Sequence, residues 1–186
     1  MDTGRAYYHM VADRFGGAAG PDAHDLDGAL RAFSYAAERR DFAEPIVAVE
    51  ALAGQALTLQ LMQRPDQATA AVEELITYAG RLSDPHFMTV AQSARARIWL
   101  LQGKVDGAAA WAHGARVEAH APSLLFWLED AAITRARVLI AKGGEQDLGA
   151  TLELLGALLQ HVKGRVHARH DGGHSLGAGD QDVLAL

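Results

Sequence analysis

Two arginines, Arg97 and Arg137, occupy nearly identical surroundings, Arg95-Ala96-Arg97-Ile98 and Arg135-Ala136-Arg137-Val138. A guanidinium group donates two parallel hydrogen bonds to one carboxylate. If the chain repeats its structure with the period of these two segments, both side chains occupy equivalent positions. The pair then predicts a clamp for an acidic peptide or a carboxylate-bearing effector.

Ser93 and Gln60 are the polar neighbours that we expect beside this clamp. The sequence leaves an alternative open, in which the two arginines only pair with acids of neighbouring helices. The candidate acids are Glu118, Glu129 and Asp130.

No combination of residues predicts catalysis. The adjacent acids Glu73-Glu74 and Glu129-Asp130 point about 100° apart on a helix, so we expect solvated surface charges rather than a catalytic dyad. Ser93 has no histidine or acid at a local spacing that indicates a triad. We therefore predict that the chain is not an enzyme and uses no cofactor.

The C-terminal segment 164–186 is rich in glycine and histidine. His167, His170 and His174 have a spacing that could bind a metal ion, but Gly172-Gly173 would leave such ligands poorly fixed. We predict a flexible tail and no metal site, with these three histidines as the alternative.

Small residues recur with a fixed period through the rest of the chain. Alanines at 29, 68, 108 and 150 form one series, and alanines at 56, 96 and 136 form a second. Successive members of both series are separated by about 40 residues, a period typical of stacked helix pairs. In such pairs a small residue lets two helices cross closely. Leu59, Trp99 and Leu139 would fill the space between the units.

Proline, glycine and apolar periodicity predict eight helices in four antiparallel pairs, forming one repeat domain over residues 1–163. The approximate ranges are 6–15, 25–39, 45–62, 66–82, 86–102, 105–119, 123–142 and 147–162. The predicted fold class is all-α, a right-handed solenoid with about 40 residues per unit.

Composition limits the function. The 186 residues carry a formal charge of −6, which disfavours nucleic-acid binding because phosphate contact needs clustered cations. The chain contains no cysteine, so thiolate metal sites are excluded. The first residues lead into no apolar signal-peptide core, and no apolar run has membrane-spanning length, so we expect neither a secretory leader nor a membrane span. We expect a cytoplasmic protein; its oligomeric state is left open.

The repeats resemble tetratricopeptide (TPR) units stretched to about 40 residues, as in the helical region of large ATP-dependent LuxR-type, or MalT-like, transcriptional regulators. The segments 93–103 and 133–143 carry the likeness, with support from 54–58 and 63–68. The resemblance implies a sensor module for transcription regulation, and it implies that Arg97 and Arg137 face the concave groove of the stack. The phosphate-binding loop of that family's ATPase is absent from this sequence, and so is a basic DNA-recognition helix.

We therefore expect a non-catalytic helical-repeat scaffold that binds a protein, a peptide or a small effector. The alternative is a stand-alone small-ligand-binding or enzyme-associated module whose histidine-rich tail binds metal.

Overall fold

The computed structural model describes residues 26–115 and 129–172, with the backbone alone from residue 161 onward. These residues form seven α-helices and no strand, so the described part of the chain is all-α. The helices are α1 (Leu26–Ala37), α2 (Pro45–Leu61), α3 (Pro65–Ala79), α4 (Pro85–Leu101), α5 (Val105–Gly114), α6 (Ala131–Lys142) and α7 (Glu145–Gly172). A short 3₁₀ helix, Arg40–Phe42, connects α1 to α2.

Helix α4 contacts α2 and α6 as well as the helices next to it in the chain. Thus α2 packs on α4, and α4 on α6, whereas α3 and α5 have no comparably extensive contact, nor do α5 and α7. The largest apolar cluster lies between α1, α2, α3 and α4. Two smaller clusters join α4 and α5 to α6, and α6 to α7.

The recurring alanines lie at these packed surfaces. Ala56, Ala68, Ala96 and Ala108 are completely buried, and Ala29 and Ala136 nearly so. Ala150 is only partly buried and packs against the cluster that contains Ala96 and Ala108. Leu59 and Leu139 are buried and Trp99 is half-buried, as expected of residues that fill the space between helices.

The turns after α2, α4 and α6 share a left-handed backbone residue. These residues are Gln63, Gly103 and Gly143, with φ of 59°, 73° and 70°. Glycine adopts this conformation without steric cost, whereas a side chain at Gln63 does so with strain. A residue with positive φ therefore recurs with the period of the alanines, although the turn after α6 is one residue shorter and contains a second such residue, Gly144.

Several predicted helix ends are wrong. The helix predicted to end near 119 ends at Gly114. The helix predicted from 123 begins at Ala131, because the Asp130 carboxylate caps it by accepting hydrogen bonds from the Ala132 and Ile133 amides. The last helix continues past the predicted boundary at 163 to Gly172, since an isolated glycine such as Gly164 costs a helix only about 1 kcal/mol.

Some predictions fall outside the described residues. These are the helix over 6–15, the candidate acid Glu118, and residues 173–186 of the predicted tail. Among the described helices, none combines the length and the apolar character that crossing a bilayer requires.

Candidate functional site

A buried carboxylate, Glu129, joins α4 to α6. Its Oε1 accepts hydrogen bonds from the hydroxyls of Ser93 and Thr134, and the Thr134 bond is 2.5 Å long. Its Oε2 accepts a hydrogen bond from Arg97 Nη1 at 3.2 Å. The side chain of Glu129 has no solvent exposure, and Ser93 and Thr134 are fully buried. We call these four residues the Glu129 cluster.

Local structure explains how the cluster forms. Ser93 and Arg97 are one helical turn apart on α4, so their side chains lie on one face of that helix. Asp130 is the N-cap of α6, which places Glu129 immediately before the helix. Thr134 follows in the first turn of α6. Glu129 can therefore reach the α4 face across the junction of the two helices.

Burial dominates the electrostatics of the cluster. Loss of solvation raises the pKa of the Glu129 carboxyl, and the hydrogen bonds from Ser93 and Thr134 and the charge of Arg97 offset only part of that rise. A buried carboxylate is tolerable because both oxygens have partners. The cluster can hold two helices together and exchange one proton, but its Ser93 hydroxyl lies out of contact with solvent.

The prediction that Glu129-Asp130 carries solvated surface charges on a helix is wrong. Glu129 is buried and precedes the helix, and Asp130 is the N-cap of α6. The contact between Arg97 and Glu129 matches the alternative in which Arg97 pairs with a neighbouring acid. Sequence reasoning missed Thr134. The one sequence signal that could have indicated burial of Glu129 is the apolar run at 124–128 that comes directly before it.

The structure brings two of the four predicted binding residues together, since Ser93 and Arg97 both belong to the Glu129 cluster. Gln60 and Arg137 are not part of that cluster. Gln60 is buried, and its Oε1 accepts a hydrogen bond from Gln102 Nε2 at 3.0 Å, so its side chain also serves packing. Arg97 keeps 28% of its side-chain surface exposed beside its ion pair. Arg137 is exposed on α6.

Arginines at equivalent positions on α4 and α6 both contact the preceding helix pair, in chemically different ways. Arg95 forms an ion pair with Glu73 of α3 at 3.7 Å. Arg135, the counterpart of Arg95 in the next unit, donates from Nε to the Ala112 carbonyl of α5 at 2.9 Å. Each arginine thus connects its helix to the second helix of the unit before it.

A second such correspondence lies at the ends of the same helices. Gln102 Nε2 donates to the Pro65 carbonyl and to Thr69 Oγ1 in the first turns of α3. Lys142, at the corresponding end of α6, forms an ion pair with Asp106 in the first turn of α5 at 2.7 Å.

For the alternative metal site, His167 and His170 lie within the backbone of α7, and His174 falls outside the described residues. Within the described part of the chain, no group of three or more histidine and acidic side chains could hold a metal ion. No protein-family model matches this chain, and no similar protein was found among the curated proteins or the solved structures.

Proposed function

We propose that this chain is a non-catalytic helical-repeat scaffold. It binds a protein, a peptide or a small effector on the surface formed by the first helices of successive pairs. The recurrence of contacts from one unit to the next is the observation that carries this proposal. The left-handed turn residues, the arginine contacts and the helix-end contacts all recur with the period of the alanines. A stack of such units exposes a continuous surface suited to extended ligands.

The pattern of helix contacts favours the row of α2, α4 and α6 as the concave side of the array. In this row α2 contacts α4 and α4 contacts α6, whereas α3, α5 and α7 contact mainly the helices adjacent in sequence. In a curved array the helices on the inside of the curve are the closer ones. Because α2 is buried over most of its length, α4 and α6 would form the binding surface. This arrangement is the one that TPR-like units use.

Arg97 and Arg137 are the candidate ligand contacts on this surface. Both retain solvent exposure on equivalent positions of α4 and α6. The Glu129 cluster fixes the Arg97 side chain and so reduces the entropy that ligand binding would cost. A carboxylate that approaches Arg97 meets a guanidinium already oriented by its ion pair. The proposed ligand class is therefore an acidic peptide or a carboxylate-bearing effector.

A peptide titration tests this assignment. We expect a fluorescein-labelled peptide with several glutamates to bind the wild-type chain more tightly than its glutamine analogue, measured by fluorescence anisotropy. The double variant Arg97→Ala, Arg137→Ala should weaken binding at least tenfold, which corresponds to about 1.4 kcal/mol. The net charge of −6 works against unspecific attraction of an acidic peptide.

The matched control is Arg64→Ala with Arg81→Ala, which removes two positive charges from exposed positions beside α3. This control should leave the affinity unchanged while circular dichroism shows the same helicity in all variants. Equal weakening by both double variants would contradict a clamp at Arg97 and Arg137. Turnover of a substrate by the wild-type chain would contradict the scaffold itself.

We further propose that the scaffold serves in transcription regulation, as the sensor part of a MalT-like regulator does. Support comes only from the likeness of segments 93–103 and 133–143 to that family's repeats. The neighbouring coding sequence tests this proposal. An upstream nucleotide-binding domain and a downstream helix-turn-helix would support it, and unrelated neighbours without either would count against it.

A further inference from the structure

Helix α7 leaves a row of leucines uncovered. Leu148, Leu152, Leu155 and Leu159 are exposed, with Leu152 at 72% and Leu159 at 59%. On the other side of the helix, Leu154 and Leu158 are buried in a cluster with Ala132 and Ala136 of α6. One face of α7 therefore packs on the rest of the chain, and a second apolar face meets solvent. We call Leu148, Leu152, Leu155 and Leu159 the leucine seam.

The spacing of the seam is that of a coiled coil. Steps of four, three and four positions separate successive leucines, which is the a/d pattern of a helix that packs along another helix. The sequence continues the pattern with Val162 and Val166, and the backbone remains helical to Gly172. Together with these two positions, the apolar pattern covers about five helical turns, and its register suits one partner helix.

Charge along α7 changes sign from one end to the other. The first half carries Glu145, Asp147 and Glu153 and no lysine or arginine. The second half carries Lys163, Arg165 and Arg169 against the single acid Asp171. A partner helix that complements α7 must therefore be basic where α7 begins and acidic where α7 ends. The α7 sequence itself meets this requirement when it runs in the opposite direction.

We propose that a second copy of this chain packs on the leucine seam, with the two α7 helices antiparallel. The apolar positions are symmetric about position 157, since 148 and 166, 152 and 162, and 155 and 159 are each equidistant from it. A two-fold axis at that position would pair every apolar residue with an apolar residue of the other copy. It would also set the acidic position 145 of one copy opposite the basic position 169 of the other.

Parallel pairing of two α7 helices does not give complementary charges. It would set the acidic half of one helix beside the acidic half of the other, and like charges at close range repel. Antiparallel pairing instead opposes unlike charges at both ends. This assembly goes beyond the proposed ligand clamp. It would give the scaffold two equivalent binding surfaces, which increases the avidity for any partner with two binding motifs.

Sedimentation velocity over a range of chain concentrations tests the assembly. We expect the wild-type chain to sediment as a dimer and the variant Leu152→Glu with Leu159→Glu to sediment as a monomer of unchanged helicity. The control is Leu101→Glu, which changes another exposed leucine, at the end of α4, and should stay dimeric. A wild-type chain that remains monomeric at every concentration would overturn the proposal. This outcome includes the case in which another segment of the same chain covers the leucine seam.

Cross-linking tests the antiparallel direction. The chain has no cysteine, so each introduced thiol is unique. A mixture of Glu145→Cys and Arg169→Cys chains should form the mixed disulfide, and neither variant alone should cross-link to itself. Self-cross-linking of both variants without the mixed product would contradict the antiparallel arrangement. Loss of peptide binding in the Arg97 and Arg137 variant leaves this test unaffected, because the clamp and the seam lie on different helices.

Discussion

The packing around α2 and the packing between α6 and α7 differ in completeness, although both regions are built from leucine, alanine and valine. Helix α2 is buried on nearly all sides between Val47 and Gln60, and shares a large apolar cluster with α1, α3 and α4. Helix α7 contributes only Leu154 and Leu158 to its small cluster with α6 and exposes its other leucines. The comparison indicates that an apolar helix alone does not define a core, since burial depends on how many neighbours it has.

The largest expected difference is between the losses in the free energy of unfolding caused by two matched core substitutions, one in each region. Leu52→Ala removes a completely buried side chain from the large cluster and should lower the free energy of unfolding by about 4 kcal/mol. Leu158→Ala removes the same atoms from the small cluster, where solvent and neighbouring side chains can fill the space, and should cost about 2 kcal/mol. Urea denaturation at one fixed chain concentration measures both. Equal losses would show that the two regions are equally well packed.

Truncation of Glu129, the buried acid between these regions, should lower the free energy of unfolding by nearly as much. Glu129→Ala leaves the buried hydroxyls of Ser93 and Thr134 without an acceptor and should destabilise the chain by about 3 kcal/mol. Denaturation of the exposed-acid variant Glu153→Ala is the control and should show a change within about 0.5 kcal/mol. A loss from Glu129→Ala as small as that of the control would contradict the structural role of the cluster.

The pH dependence of Glu129→Gln follows from the raised pKa of Glu129. A raised carboxyl pKa means that the folded state holds its proton more tightly than the unfolded state does. This contribution to stability is complete below the unfolded pKa and is lost as the pH rises through the folded pKa. The variant has no proton to lose at this position. Wild type should therefore lose stability relative to Glu129→Gln as the pH rises above 4.5, the ordinary glutamate pKa. Urea denaturation across this pH range measures the difference, and a constant difference up to neutral pH would contradict the assignment.

Glycine substitutions should have a smaller effect, of opposite sign in the two regions. A Cβ at Gly54 of α2 would lie 2.5 Å from Phe33 Cε1, and Phe33 is itself buried. Gly54→Ala should thus cost about 1–2 kcal/mol in spite of better helix propensity. At Gly149 of α7 a Cβ meets nothing within 4 Å, so Gly149→Ala should stabilise by up to about 1 kcal/mol. Thermal unfolding of both variants checks the signs, and two changes of the same sign would be inconsistent with the difference in packing.

The smallest expected effect concerns the turn after α2. Gln63→Gly relieves the left-handed conformation of a residue with a side chain and should raise the free energy of unfolding by about 0.5–1 kcal/mol, measured by urea denaturation. Gly103→Ala, at the equivalent turn after α4, should lower it by a similar amount. A destabilised Gln63→Gly variant would show that the side chain of Gln63 makes a contribution that exceeds the strain.

Sequence reasoning recovered the helical class and most helix positions because small and apolar residues recur at helical spacing. Ala56, Ala96 and Ala136 are buried as predicted, since a periodic pattern reports which side of a helix is covered. The Glu129 cluster was not recoverable in the same way. Ser93 and Glu129 are 36 residues apart, and only the three-dimensional packing brings a hydroxyl on α4 to an acid that precedes α6. Burial of a charge depends on such distant partners, which local periodicity does not encode.

Distances between the equivalent ends of α2, α4 and α6 test the proposed repeat array most directly. Spin labels on cysteines introduced in pairs at the exposed residues Leu61, Leu101 and Ile140 would report these distances by electron paramagnetic resonance. Packed helices lie about 8–10 Å apart, so 61–101 and 101–140 should each be about 10 Å and 61–140 about 20 Å, apart from the label linkers. A 61–140 distance equal to either single step would mean that the helices close into a bundle, and it would contradict an extended scaffold.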